Sequence, residues 1–332
     1  MRVLVTGGAG SFGQAFVRAV LPDAERVVVF SRDEGKHARF AEALQAPPEK
    51  MRFFLGDVRD QARLEQAMYG IDTVVHAAAI KRIDVVSYHP VETVRTNVLG
   101  TINVIQAAIS QGVKRVMLIS SDKAADPANL YGATKLVAEF AAVQANAHAV
   151  PRGTCVACVR YGNILGSRGS VIHIWRRQLA AGEPLTLTNP DCTRFWMTLP
   201  QAVAFVRSSL TLMRGGEVFV PRLPSMRLGD LAEVVAPLHL VKVIGMRPGG
   251  EKQHETLVTA AELTRTIVTD TRLIIEPTLQ TWTRRPWALD GHQAGGRRQA
   301  RADEEHVRTG IMTRLARARA LAVVACLSGA SV

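Results

Sequence analysis

Cysteine is scarce in this chain. Only four of its 332 residues are cysteine, too few and too irregularly spaced for a disulfide framework. Cys155 and Cys158 form a C-x-x-C, but inside the strand-like run 154–160 and with no second Cys/His pair at ligand spacing. They read as buried thiols, not as a metal site. Long hydrophobic runs are missing as well: no stretch approaches the roughly 18 apolar residues of a membrane span. The first residues enter a strand with no charged leader and cleavage site, so the expectation is a cytoplasmic protein without membrane insertion. No basic segment is interleaved with aromatics, and no helix-turn-helix pattern occurs. The net charge of +12, much of it in a stretch from 284 to 319 with nine Arg against four acidic residues, therefore reads as solvated surface and not as a nucleic-acid footprint.

What is present is a core-former: 47% of residues are hydrophobic, enough for one large or two modest domains. Residues 2–6 form an apolar strand pattern. Gly7, Gly10 and Gly13 follow in G-x-x-G-x-x-G spacing before a helix from Ser11 and Phe12 to about Val20. Glycines there permit a tight turn and let backbone N–H groups approach a pyrophosphate at a helix N-terminus. A second strand, 26–30, runs into Ser31, Arg32, Asp33 and Lys36. An acidic residue at this place favours the ribose 2′-OH of NAD, and an arginine the 2′-phosphate of NADP. Ser31, Arg32 and Lys36 argue for NADP; Asp33 argues against it, and all four also suit the polar start of a helix. Strands at 51–56 and 72–76 lead to Asp57-Val58, expected at the adenine, and to Ala77, Ala78 and Ala79, small enough for a flat dinucleotide. Helical patterns fill the intervals, 61–68 and 91–111, so the prediction is α/β: a Rossmann-type, doubly wound parallel sheet over residues 1–160. A smaller nucleotide-sugar lobe with some strands rejoining the sheet is expected over 161–280, and a divergent basic segment over 281–332 with a helix near 304–321. The apolar run 320–327 is assigned to docking or oligomer contact.

The chemistry concentrates after a fifth strand, 113–119. Its carboxyl end delivers Ser120, Ser121, Asp122 and Lys123, where ligands bind in an open α/β sheet. A helix from about Leu130 then carries Tyr131 and Lys135, four apart on one face. A cation beside a phenol favours phenolate, so Lys135 is expected to let Tyr131 act as a base below the usual value of about 10. Each part alone is commonplace: Ser-Ser-Asp-Lys is usually a turn. Their coincidence in a chain that opens with a nucleotide-binding turn points to an active site.

With these residues in hand, the chain resembles the extended short-chain dehydrogenase/reductases, and among them the C5-inverting UDP-N-acetylglucosamine 4,6-dehydratases. The matching stretches, among them 6–13, 30–34, 120–135, 160–171, 193–196 and 247–255, lie within residues 1 to about 255. Related hexose dehydratases have Asp-Glu where this chain has Asp122-Lys123, and retaining relatives differ at Tyr131. This chain departs from the family at Ser121 (usually Thr), His173 (Pro), Asn189 (Asp) and the doubled glycine Gly249-Gly250.

The resemblance implies that Tyr131, with Lys135 and Ser121, removes the C4-OH proton as hydride passes to NADP. Lys123 takes the C5 proton, Asp122 protonates the leaving C6-OH, and hydride returns to C6. It further implies that Lys81, Ile164, Tyr131 and Lys135 contact the cofactor. Lys81, Ser121, Asn163, Arg168, Gly169, Ser170, Val171, Arg194, Arg247 and Glu251 would face the UDP-sugar, in a homo-oligomer. A 4-epimerase or 5,6-dehydratase on the same scaffold, or a cofactor-binding protein without turnover, are the alternatives.

Overall fold

The computed structural model describes residues 1–167, 169–237, 240–285 and 287. The expected terminal helix, the apolar run 320–327 and Arg168 lie outside the described residues. Fourteen strands are described. Six arise in the first 160 residues: β1 (Arg2–Thr6), β2 (Arg26–Ser31), β3 (Met51–Leu55), β4 (Thr73–His76), β5 (Arg115–Ile119) and β6 (Cys155–Val159). The rest are β7 (Asn163–Ile164), β8 (Leu185–Leu187), β9 (Thr193–Met197), β10 (Val218–Pro221), β11 (Ser225–Arg227), β12 (Val241–Val243), β13 (Thr266–Val268) and β14 (Arg272–Ile275).

Nine strands form one sheet in the order β13-β14-β10-β6-β5-β4-β1-β2-β3. From β3 to β10 every neighbour is parallel, and β14 and β13 close the edge antiparallel. Parallel strands joined by helical crossovers are covered on both faces, so continuous apolar runs, not alternating ones, are what the sheet requires. Val3, Leu4 and Val5 of β1 are accordingly all buried. The chain lays down β1, β2 and β3 in one direction, then crosses back to put β4 on the other side of β1. That reversal opens a crevice beyond the carboxyl ends of β1 and β4, where a doubly wound sheet binds dinucleotides. The prediction of an α/β, Rossmann-type sheet is borne out.

Two stretches differ from the sequence reading. A single helix was expected over 91–111; instead Pro90–Val94 is followed by a π-helical turn at Arg95–Leu99 and then Gly100–Ser110. Pro90 suits a first helical position, where its missing N–H costs nothing. The π turn places Asn97 so that its side chain bonds both the N–H and the carbonyl of Ile80, and Thr134 on the helix Leu130–Gln144. A short helix, Ile83–Tyr88, was not foreseen at all.

Beyond β6 a second, smaller core forms around Trp175, Leu185, Leu187, Trp196 and Met226. Strands β10, β13 and β14 return from this half to the main sheet. A buried ion network ties the returning chain to the helix Leu130–Gln144. Arg160, at the end of β6 and 1% exposed, donates to both oxygens of Glu139, to both of Glu262 and to the carbonyl of Leu257. Cys158 is buried in β6, and burial pushes its thiol well up.

Removing one partner of such a cluster leaves buried charge unpaired, at a cost of about 3–5 kcal/mol. Arg160→Met should lose stability on that scale in urea unfolding near pH 7. Burial raises the Glu262 carboxyl, but the Arg160 contacts outweigh it and hold it below its usual value. Its contribution is therefore complete above the unfolded carboxylate value of about 4.3 and is lost as pH falls below it. The gap between parent and variant should narrow on acidification, and a gap independent of pH between 7 and 3 would contradict this assignment.

Candidate active site

The site is built on the extension of β5. Ser120 N–H donates to Val159 O, and Asp122 N–H to Tyr161 O, so the ladder with the β6 chain continues past the strand end. The backbone then tightens into a single 3₁₀ turn, Asp122–Ala124, capped by Ser121, whose Oγ accepts from the N–H of Lys123. Asn129 caps the next helix, Leu130–Gln144, accepting from Gly132 N–H. A rigid strand end and a capped helix thus hold the polar groups, with little left to loop motion.

Asp122 is fully buried. Its Oδ1 accepts from Ser121 Oγ at 2.8 Å and from Lys123 Nζ at 2.9 Å. Its Oδ2 has no hydrogen-bond partner among the described residues. Lys123 Nζ also donates to Asn163 Oδ1 at 3.3 Å and lies 3.4 Å from Glu255 Oε1. Burial alone would depress the Lys123 ammonium, but Asp122 and Glu255 more than offset it and hold it well above its ordinary value. The cluster is a cation between two buried carboxylates, with the ammonium facing a cavity.

Tyr131 and Lys135 are both buried on the helix, yet they do not pair as expected. Lys135 Nζ donates to the carbonyl of Ile119 at 2.7 Å, and burial takes it down to about 8, against the opposing charge of Glu139. The phenol of Tyr131 is pushed up to about 12 by burial, partly opposed by Lys123 and by its hydrogen bond with Ser121. The cation acting on the phenol here is Lys123. The expectation that Lys135 draws Tyr131 below 10 is corrected, because a desolvated phenol resists ionisation more than one neighbouring ammonium favours it.

Beside this cluster, Lys123, Asn163, Arg194, Arg247, Glu251 and Glu255 line one cavity with Asn129 and Lys252. Arg194 is buried in β9, and it donates to Glu251 Oε1 and to the carbonyls of Thr193 and Gln253. Glu251 in turn accepts from Arg247 N–H. Gly169, Ser170 and Val171 lead into the helix Val171–Ala180 and are not among that cavity's lining. Lys81 is exposed just after the loop that Asn97 fixes. Sequence reading missed Glu255, Lys252 and Asn97. Two belong to the loop from which only Arg247, Glu251 and the doubled glycine were given roles, and Asn97 lay in the expected helix 91–111 with no role assigned.

The cofactor-side residues gather at the crevice between β1 and β4. Gly7 has φ +65°, and a Cβ there would meet Ala78 N at 2.8 Å. That is a cradle only backbone can line. Gly10 is the N-cap of the helix Ser11–Val20 and brings no capping side chain to its first turn, which includes Phe12 and Gly13. The arrangement fits the pyrophosphate of a dinucleotide. At the end of β2, Ser31 Oγ lies 2.6 Å from His37 Nε2, and Arg32 reaches Asp57 at 3.4 Å. Asp57 is bound mainly by Arg59 at 2.7 Å, Val58 is buried, and Ile164 is half-buried in β7.

This chain matches the family of polysaccharide biosynthesis proteins over residues 3–277. The chain belongs to that family. It is 41% identical over 281 residues to a UDP-N-acetylglucosamine 4,6-dehydratase (inverting) of Campylobacter jejuni, covering 84% of this chain and 83% of that one. It is 38% identical to a UDP-glucose 4-epimerase of Rickettsia akari, over 79% of each. Among solved structures, Pen from Bacillus thuringiensis superposes with TM-score 0.80 at 37% identity, covering 83% of this chain and 89% of that one. DesIV from Streptomyces venezuelae, a dTDP-glucose 4,6-dehydratase with NAD bound, superposes with TM-score 0.67 at 25% identity, covering 79% and 89%. The resemblance to extended short-chain dehydrogenase/reductases and their inverting dehydratases is thereby borne out.

The doubled glycine Gly249-Gly250 has a structural role. Gly250 sits at φ +92°, where a Cβ would lie 2.1 Å from Ala128 O, and its own carbonyl accepts from Asn129 Nδ2 at 2.7 Å. Gly250→Ala should therefore cost about 1–3 kcal/mol of backbone strain in urea unfolding. A stability equal to the parent's would show that the loop does not lie this close to residue 128.

Proposed function

We propose that this protein is an NADP-dependent UDP-N-acetylglucosamine 4,6-dehydratase that inverts C5. The buried Asp122–Lys123 pair beside Tyr131 carries the reading. A 4-epimerase needs a group for the C4 hydroxyl proton and no more, whereas elimination needs a further acid and base. The relatives named 4-epimerase supply the second reading, and release of water separates the two.

A nicotinamide cofactor, when bound, accepts hydride from C4, returns it to C6, and adds a positive ring that favours the Tyr131 phenolate. Tyr131, oriented by Ser121, takes the C4 hydroxyl proton. The C4 ketone acidifies C5–H. Lys123 and Asp122 share one proton across their 2.9 Å hydrogen bond. On Lys123 it makes an ion pair; moved to Asp122 it leaves a neutral amine and a carboxylic acid. The second form is the base for C5 and the acid for the C6 hydroxyl, and reaching it exchanges nothing with solvent. When Lys123 takes the C5 proton, the C5–H electron pair forms the C5–C6 double bond. The C6–O bond breaks, and its oxygen leaves as water with the Asp122 proton. As hydride adds to C6, the enolate takes a proton at C5 from water on the face opposite Lys123, which inverts that carbon.

NADP is favoured over NAD by the fate of Asp33. Its carboxylate caps the helix Glu34–Leu44 through Lys36 N–H and pairs with Lys36 Nζ at 2.5 Å, so it is committed to the helix start. That leaves Arg32, whose contact with Asp57 is long and exposed, to meet a 2′-phosphate, while Ser31 faces His37 and Lys36 pairs with Asp33.

Lys123→Met should still reduce the cofactor when UDP-N-acetylglucosamine is added, yet show neither C5 exchange in deuterated water nor water loss. Asp122→Asn, which removes both the acceptor of the Lys123 proton and the general acid, should still reduce the cofactor while C5 exchange and elimination slow together by ~10²–10⁴. Tyr131→Phe should block all three signals. Near-parental C5 exchange in the Lys123 variant would remove Lys123 as the base.

Arg32→Ala should weaken NADP binding roughly tenfold and leave NAD binding unchanged. Equal affinity of the parent for NAD and NADP in a titration would defeat the NADP assignment.

A further inference from the structure

We propose that Glu255 is a positioning residue for the elimination step. One of its oxygens holds Lys123 opposite Asp122, and the other anchors the sugar-side loop to the 122–126 turn through Lys252. The inference rests on the dehydratase reading above and assigns a role to a residue that reading does not use. Glu255 is 4% exposed, with Oε1 3.4 Å from Lys123 Nζ and Oε2 2.9 Å from Lys252 Nζ. Lys252 Nζ donates in turn to the carbonyls of Ala125 at 2.9 Å and Asp126 at 3.2 Å, immediately after the Asp122–Ala124 turn. The loop thus grips the catalytic turn at two places, the ammonium of Lys123 and the backbone behind it.

A lysine side chain has four rotatable carbons and is not fixed by one hydrogen bond to its own sequence neighbour. The groups facing Lys123 are Asp122 from its own turn, Tyr131 from the helix Leu130–Gln144, Asn163 from β7, Arg194 from β9, and Glu255 from the loop. Only Asp122 and Glu255 are anionic, and they stand in different segments, so Glu255 fixes the ammonium from a second direction. It also matters chemically. When Lys123 regains a proton from C5, Asp122 has just delivered its own to the leaving oxygen, and the new ammonium lies between two carboxylates. Glu255 favours that charge without itself exchanging a proton with the sugar.

The test compares the parent with Glu255→Gln, Glu255→Asp and Lys252→Met. Two readouts are followed with UDP-N-acetylglucosamine: C5 exchange in deuterated water and cofactor reduction. Glu255→Gln should lower kcat for C5 exchange about tenfold, with KM within a few-fold and cofactor reduction retained. Glu255→Asp should restore exchange in part. Lys252→Met releases the loop from the carbonyls of Ala125 and Asp126 and should lower C5 exchange in the same way, which keeps the test decisive if Glu255→Gln fails to fold. Parental C5 exchange in Glu255→Gln or Lys252→Met, or equal loss of cofactor reduction and C5 exchange, would overturn the role of Glu255. A parent that releases no water overturns the dehydratase reading and the elimination role with it.

Discussion

The ion pair between Asp122 and Lys123 at the carboxyl end of β5, its carboxylate fully buried, is the constraint on which the rest depends. Taking a carboxylate and an ammonium out of water is expensive, and their attraction compensates only when further hydrogen bonds satisfy what remains. Ser121, Asn163 and Glu255 supply those contacts from three different segments. The turn could not hold this charge unless β7 and the loop Arg247–Glu255 came to meet it. Substrate-side chain and nucleotide-side sheet are therefore joined at the point where the proposed chemistry occurs.

A second cluster reinforces the same union from behind. Arg160 clasps Glu139 on the helix that bears Tyr131 and Lys135, and Glu262 in the returning chain. Glu139 is also the nearest opposing charge on Lys135. The helix is thus held at its start by the Asn129 cap and at its middle by a buried arginine, which limits how far the phenol can shift relative to Ser121. Rigid elements carry the reactive groups here, and the loop contributes the contacts that close over them.

Much of this was legible in the residues. The glycine turn after β1, the polar cluster after β5 and the Tyr-x-x-x-Lys spacing depend on local geometry, and the structure places all three at the crevice end of the sheet. The sense of the Lys135 effect was not legible: residues four apart share a helix face, but burial decides what their heads do, and Lys135 turned to Ile119 O. Asp33 was ambiguous between ribose partner and helix cap for the same reason, since both are carboxylates at a strand end. The structure adds the capping bond from Lys36 N–H, which residue type alone does not give.

What the sequence determined by itself was the alternation of the six strands of the first 160 residues with most of their helices, the parallel sheet that apolar runs require, and the identity of the groups at its carboxyl edge. These follow from periodicity and from backbone freedom, which act over a few residues. Which distant groups meet was decided by the tertiary structure alone. Glu255 lies 132 positions after Lys123 in the chain, and no local pattern relates them. Their contact follows from the returning loop packing against the turn, where Gly250 approaches Ala128 O and Lys252 binds the carbonyls beyond Lys123. Charge states in the site belong to that level too, because desolvation and long-range pairing are properties of the folded interior and not of the spacing of residues along the chain.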